Sequence, residues 1–591
     1  MILQALTKLY QDLVEQKKIA CLGWGPVKVS YALCINEEGD FEQIIPLIEK
    51  VRSGKKTKLQ PQIMELPAAV KKSSGIASNF LWENSSYLLG VDKKGKPERS
   101  LRCFEECREL HHKLLDRVDS LNAKAILKFF DAWNPEKVNV NPSLFNRDDV
   151  ISGKNIVFRI NGSYAQSDNE IRSAWQRHYD CNDNGRRQQC LVTGKADVIE
   201  LIHPSIKGVD GAQTSGAAIV SFNARAFCSY GHVDEQGYNA PVGKFAAFAY
   251  TSALNYLLDD RNGKQKLGDA TVVFWADGGE PAYQGMMGGM VFGDETPYSV
   301  NELRSMTMKL LSGERVQFEE TLIDPQKPFY ILGLSPNAAR LSVRFFYSGT
   351  FGSLMRNVHA HHNRMEIVHS GSNKYGSIPL WAMLRETVNT SIRNKSKLPL
   401  PNPVMSGAVA RAIFTGGLYP PSLLSSTMVR INAERNITCG RAAIIKAYYL
   451  RNLSNFSNLY SILKEVMKVK LNDGCTYQPY VLGRLFALME KIQLASADWK
   501  LNRSIKDSYF TSAAATPDSI FRKLFPLSNY HMRKLKRDKP GYASRLEEEK
   551  VNLIYMLTEN IPKRFSTDEI NCFYIGYYHQ TQNRYEKEEE N

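Results

Sequence analysis

The sequence predicts an α+β protein: a mixed α/β N-terminal region followed by an all-α C-terminal helical bundle. Two patterns predict it. Short β-branched and aromatic runs alternate with helical periodicity as far as "RLSVRFFYSGTFG" at 340–352, the last strong strand signal. Beyond it the apolar residues recur at helical spacing with short connections. With 591 residues the chain is long enough for several compact units. Three regions are expected: mixed α/β over 1–352, a helical connection over 353–470, and the bundle over 471–591.

The elements are taken in chain order. "MILQALTKLYQDLVEQKK" has apolar residues at helical spacing with charges between them, so it reads as a helix and not as a signal peptide. "PVKVSYALCI" at 26–35 reads as one strand, "DFEQIIPLIEKV" as mixed, and "RSGKKTKLQPQIMELP" at 52–67 as a basic connection. Residues 100–133 are helical by period, 155–160 and 271–277 are strands, and 242–260 is a helix. "NPVMSGAVARAIFTGG" ends in a glycine pair that stops a helix. "INAERNITCGRAAIIKAYYLRN" at 431–452 is a further helical candidate. In the bundle, Val481, Leu482, Leu485, Phe486, Leu488, Met489 and Ile492 form one wide apolar face. Thr516 stands as N-cap with Pro517 at N1, and "STDE" at 566–569 is a capping box.

Composition narrows the partners. Lys and Arg number 76 against 61 Asp and Glu, a net charge of +15, and such a surplus favours a polyanion. No run of 18 apolar residues exists, so no transmembrane helix and no membrane partner are expected, and the protein reads as cytoplasmic. The ten cysteines are scattered without a C-x-x-C pair, as in reduced, buried thiols. Cys103 and Cys107 are four apart, but no second pair completes a zinc set. No metal and no cofactor are expected.

Residues suited to gripping a nucleic acid are more plentiful. In "KKSSGIASNFLWENSSYLLG" at 71–90, Lys71 and Lys72 can neutralise phosphates and Ser74 lies in a donor-rich turn. Asn79 and Asn84 can meet a base edge, and two of Phe80, Trp82 and Tyr87 are expected in the core. "PSIKGVDGAQTSG" at 204–216 offers Lys207, Gln213, Thr214 and Ser215 among glycines that let backbone amides approach phosphates, with Asn223 beyond. An ordinary turn-rich loop has the same composition. "FRKLFPLSNYHMRKLKRDK" carries Arg522, Lys523, Arg533, Lys534, Lys536 and Arg537, a surface suited to a strand backbone. Catalytic candidates are thin. "HAHHNRMEIVH" at 359–369 sets Glu366 four residues after His362, but it lacks a deeper acidic partner and has arginine neighbours, so it reads as a partly exposed basic helix facing RNA or a protein. Asp277 and Glu280 lack the further carboxylates a two-metal site needs.

The chain resembles, along its whole length, the large subunit of the type I-C (Dvulg-subtype) CRISPR Cascade complex. The stretches that carry this include "SGIASNFLWENSSYLLG", "CLVTG", "HPSIKGVDGAQTSGAAIVSFNARAFCSYG", "NAPVGKFAAFAYTSALNYLL", "FFYSGTFG", "GLYPPSLL" and "YVLGRLFALMEKIQ". The resemblance implies a non-catalytic protein that recognises the protospacer-adjacent motif in duplex DNA, assists duplex opening and stabilises the R-loop. The guide's base pairing reads the remaining sequence. Implied partners are crRNA and target DNA, the guide-end-binding, backbone and small subunits, and a recruited helicase–nuclease. It further implies that the C-terminal bundle is also made separately, as the small subunit; the sequence permits an internal start near Met467 or Val469, with Met489 a later alternative that would cut the first helix of the bundle. The rival is a metal-dependent nuclease or guide-RNA-processing enzyme of the same pathway, using the histidine cluster or Asp277.

Overall fold

The computed structural model describes residues 1–53, 56–70, 76–93, 96–136, 147–181, 185–222, 224–229, 231–233, 235–260, 263–369, 377–389, 399–453 and 458–589. Its contacts divide the chain into two compact units. One holds residues 1, 3–204 and 221–253; the other holds 2, 205–220 and 254–591. This differs from a division at 352. The strands between 264 and 350 belong with the helices after them, because Phe345 of the last strand packs on Phe414 of a later helix.

In the first unit, helix α1 (Ile2–Glu15) buries Leu6, Leu9, Tyr10 and Leu13, the stripe its period foretold. The expected single strand at 26–35 is two strands, β1 (Trp24–Val29) and β2 (Tyr31–Ile35). They part at Ser30, where the chain leaves one sheet for another. β1 joins a three-stranded sheet with β4 (Ile48–Ser53) and β5 (Lys56–Pro67). β2 is buried at all five positions. It lies between antiparallel β3 (Phe41–Pro46) and parallel β7 (Ile156–Ile160), and β6 (Trp82–Glu83) pairs with β7.

The basic connection at 52–67 is thus corrected to the long strand β5. Its lysines and prolines disguised it. Pro61 ends the ladder with β4, and from Gln62 onward β5 pairs with β1, so the missing N–H falls at the change of partner. Helices α3 (Pro97–Leu115) and α4 (Leu121–Ala132) supply Phe104, Phe129 and Phe130 to a core that also holds Phe80, Phe158 and Trp175.

The second unit begins with a four-stranded antiparallel sheet of Lys264–Leu267, Ala270–Ala276, Pro328–Asn337 and Arg340–Thr350. Helices come next, beginning with Phe351–Met365, as the sequence indicates. The candidate at 431–452 is broken in two. Arg435 adopts φ 50° and ends Pro421–Glu434, and Thr438 caps Cys439–Asn452 by accepting the Arg441 N–H at 3.1 Å. The helix Gln478–Ser496 is buried nearly all round, and not on one face alone. Gly483 and Gly576 make this possible, since a Cβ on either would overlap the backbone of the opposing helix Thr567–Glu589 or Gln478–Ser496. The capping box at 566–569 forms as expected, with the Ser566 N–H donating to Glu569 at 2.7 Å. Pro517 stands at N1, whereas the Thr516 hydroxyl turns back to donate to the Ser512 carbonyl. The bundle's core continues into the preceding helices: the Tyr578 hydroxyl donates to the Val368 carbonyl and Tyr449 pairs with Asp568, both at 2.7 Å. The division at 470 does not separate two cores.

Candidate nucleic-acid interface

Lys71, Lys72 and Ser74 lie outside the described residues, and so does Asn223. From residue 76 onward the chain forms a tightly engaged turn. Asn79 is 4% exposed. Its carbonyl accepts the Val70 N–H at 2.8 Å, and its amide donates to Glu83 at 3.0 Å. The expectation of an exposed base reader at Asn79 is corrected: the side chain staples the two ends of the segment together. Glu83 is buried and also accepts from the Asn84 backbone and side chain, at 3.0 and 3.1 Å. The Asn84 carbonyl caps the short helix α2 (Ser85–Leu88) through the Ser86 N–H. Phe80, Trp82 and Tyr87 are all three in the core, not two of them. Phe80 stacks on Trp175 and packs on His111, whose Nε2 accepts the Leu81 N–H at 3.1 Å.

The loop at 205–217 is arranged the other way. Its backbone is pinned and its side chains are free to face outward. Ile206 and Ala217 exchange both N–H···O bonds at 2.9 Å. Asn255 accepts the Lys207 N–H at 2.8 Å and donates to the Ser205 carbonyl at 3.1 Å. Thr271 accepts the Asp210 N–H, and Ala218 docks between Ala339 and Leu341. Gly216, at φ +100°, closes the loop where a Cβ would press on Ser205. On this frame Lys207, Gln213, Thr214 and Ser215 are all exposed.

The helix Pro517–Asp538 buries Ile520, Phe521, Leu524, Met532 and Leu535 and exposes all six expected cations. Arg522 pairs with Asp518, Lys536 with Glu547 and Arg537 with Asp538. Lys523, Arg533 and Lys534 form no ion pair among the described residues. Sequence reasoning missed Tyr530. It is 66% exposed on the same helix, four residues before Lys534. Its signal was the interruption of a basic stripe by an aromatic residue at helical spacing.

The segment that carries the histidine cluster is partly exposed, with Arg356 on the surface and His359 and His369 half-buried, but two of its histidines are not available to a partner. His361 and His362 are buried; His361 pairs with the Tyr419 hydroxyl at 2.7 Å, and burial lowers His362 to about 4. Glu280 pairs with Lys327 at 2.9 Å, and the Asp277 N–H closes onto the Pro328 carbonyl. Among the described residues no group of three or more His, Cys, Asp or Glu is placed to hold a metal ion. The described cysteines are free thiols, with Cys103 and Cys107 inside the α3 core. No helix among the described residues is long and apolar enough to cross a membrane.

The loop presents exposed amide and hydroxyl groups, and the helix Pro517–Asp538 presents six exposed cations. A comparison with family models identifies the class as CRISPR-associated. The model for the CRISPR-associated protein Csd1 matches residues 6–585, nearly the whole chain, and the protein belongs to that family, the large subunit of type I-C Cascade. No curated protein matches the sequence.

Proposed function

We propose that this Cascade subunit recognises the protospacer-adjacent motif in duplex DNA, assists duplex opening, stabilises the R-loop and offers a docking surface to the helicase–nuclease, without itself catalysing a reaction. Its partners in this reading are crRNA, target DNA, and the guide-end-binding, backbone and small subunits. The observation that carries it is the Gln213–Thr214–Ser215 tip, exposed on a backbone pinned at both ends. Amide and hydroxyl groups carried on a fixed backbone can hydrogen-bond a base edge without the cost of ordering the loop. The cations of Pro517–Asp538 supply the sequence-independent attraction that the displaced strand needs. The test presents the assembled complex with a library of randomised flanking motifs. Alanine at Gln213, Thr214 and Ser215 is expected to relax the preference at one or two positions. An unchanged preference in the triple variant refutes the reading at this loop. Incubating the purified chain with DNA or guide-precursor RNA and Mg²⁺ or Mn²⁺ is expected to leave both intact.

A further inference from the structure

A pocket of about 320 Å³ lies where α2 meets the first turn of α3. Asn84, Ser86, Asp92, Lys96, Arg99 and Ser100 line it. Its lower wall is the N-terminus of a 19-residue helix, and that terminus is uncapped: Lys96, at the N-cap position, makes no side-chain cap bond. Pro97 has no N–H, and the first helical bond runs from the Ser100 N–H to the Lys96 carbonyl. The N–H groups of Glu98 and Arg99 therefore have no partner among the described residues. Unfilled amides and the helix dipole together favour an anion.

A second observation points to the same ligand independently. Ser100 is 1% exposed, and its hydroxyl has no hydrogen-bond partner among the described residues. A buried hydroxyl left unpaired destabilises the fold, and such groups ordinarily have a partner. Ser100 lines a polar pocket on the same wall, the start of α3, that carries Lys96 and Arg99, both exposed and neither in an ion pair among the described residues.

We propose that this pocket seats one phosphodiester of a bound nucleic acid, held by the Ser100 hydroxyl, the Arg99 side chain and the first amides of α3. Lys96 and Arg99 outnumber Asp92, the one carboxylate of the lining, which favours an anion, and the experiment distinguishes a phosphodiester from free phosphate. Asn84, which caps α2, belongs to the same lining, so the seat is tied to the turn that follows residue 76. The proposal rests on the nucleic-acid reading above.

The experiment uses the full-length chain, a short DNA duplex and, separately, inorganic phosphate, with wild type, Ser100→Ala and Arg99→Gln. Ser100→Ala is expected to weaken duplex binding about tenfold, the loss of one hydrogen bond to a charged group. It should leave the melting temperature of the free protein unchanged or higher, since it removes an unpaired hydroxyl. Arg99→Gln is expected to weaken binding and to lower the log–log salt slope by about one unit. Inorganic phosphate is expected to shift the melting temperature little. If both variants bind the duplex as wild type does, the seat is refuted while the broader reading survives. If wild type binds no duplex but phosphate stabilises it and neither variant, the ligand is free phosphate and both readings fall. A drop in melting temperature with Ser100→Ala marks a structural hydroxyl; Arg99→Gln then decides alone, its unchanged salt slope refuting the seat.

Discussion

The 76–88 turn and the 205–217 loop have nearly the same inventory of amides, hydroxyls and small residues, yet they use it in opposite ways. In the turn, Asn79, Glu83 and Asn84 hydrogen-bond one another and the backbone, so the polar side chains are the structure. In the loop, Asn255, Thr271 and the strand edge at 339–341 hold the backbone from outside, which leaves Gln213, Thr214 and Ser215 exposed. Side chains engaged in holding the chain cannot read a partner. A loop held by its neighbours keeps its own side chains available.

Breaking the turn should therefore damage stability, and breaking the loop tip should not. Glu83→Ala strands the Asn79 and Asn84 donors in a buried site. It is expected to cost about 3 kcal/mol or more in urea denaturation. Gln213→Ala should stay within about 0.5 kcal/mol of wild type. Equal losses would erase the contrast.

A smaller effect isolates the turn by pH. His111 lies within the core beneath Leu81, where burial lowers it to about 4 against an ordinary value of 6.5. Its Nδ1 lies 2.7 Å from the Cys107 carbonyl, so Nδ1–H donates there and the neutral Nε2 accepts from Leu81. The unfolded chain takes up this proton near pH 6.5 and the folded chain only near pH 4. Its stabilisation is thus complete above pH 6.5 and is lost as pH falls through that window, by about 2 kcal/mol at pH 5. His203 and His362, also lowered to about 4 by burial, act in the same direction. The expected result is that His111→Gln flattens the pH dependence of stability relative to wild type, with one histidine's share removed.

How far this was legible in the sequence depends on the kind of signal. Buried strands and helices announced themselves through bounded apolar runs and helical spacing, as at Ala270–Ala276 and Gln478–Ser496, although the all-round burial of that helix did not. β5 did not, because its lysines and Pro61 read as a loop until its two partners were known. The break at Arg435 was hidden in a continuous apolar period. The cations of Pro517–Asp538 were legible, as charge on one helix face needs no tertiary knowledge. The roles of Asn79 and Gln213 were not, since nothing local distinguishes an amide that closes a turn from one that faces outward. Ser100 was likewise invisible, because burial without a partner exists only in three dimensions.

The loop side of the comparison is sharpened by specificity. Gln213→Ala should relax motif preference at one position by about 1–2 kcal/mol, read from competition between single-base variants of the motif. Asn79→Ala, scored on the molecules that remain folded, should shift no single position. A position-specific loss from Asn79→Ala would restore it as a reader.

The smallest expected effect concerns the basic helix, which presents side chains as the loop does but by charge and stacking. Lys534 is exposed and in no ion pair among the described residues, so its charge is available to a phosphate. Lys534→Gln should weaken single-strand binding by a few-fold, equally for all sequences, and reduce the salt slope by about one unit. Tyr530, exposed one turn earlier, offers a ring on which a base can stack. Tyr530→Leu keeps apolar area but removes the aromatic face, so it should weaken single-strand binding without altering the salt slope. The pair separates charge from stacking on one helix face. If Tyr530→Leu leaves affinity unchanged while Lys534→Gln lowers it, the helix holds the strand by its backbone alone. If neither variant changes single-strand affinity, this face is not where the strand runs.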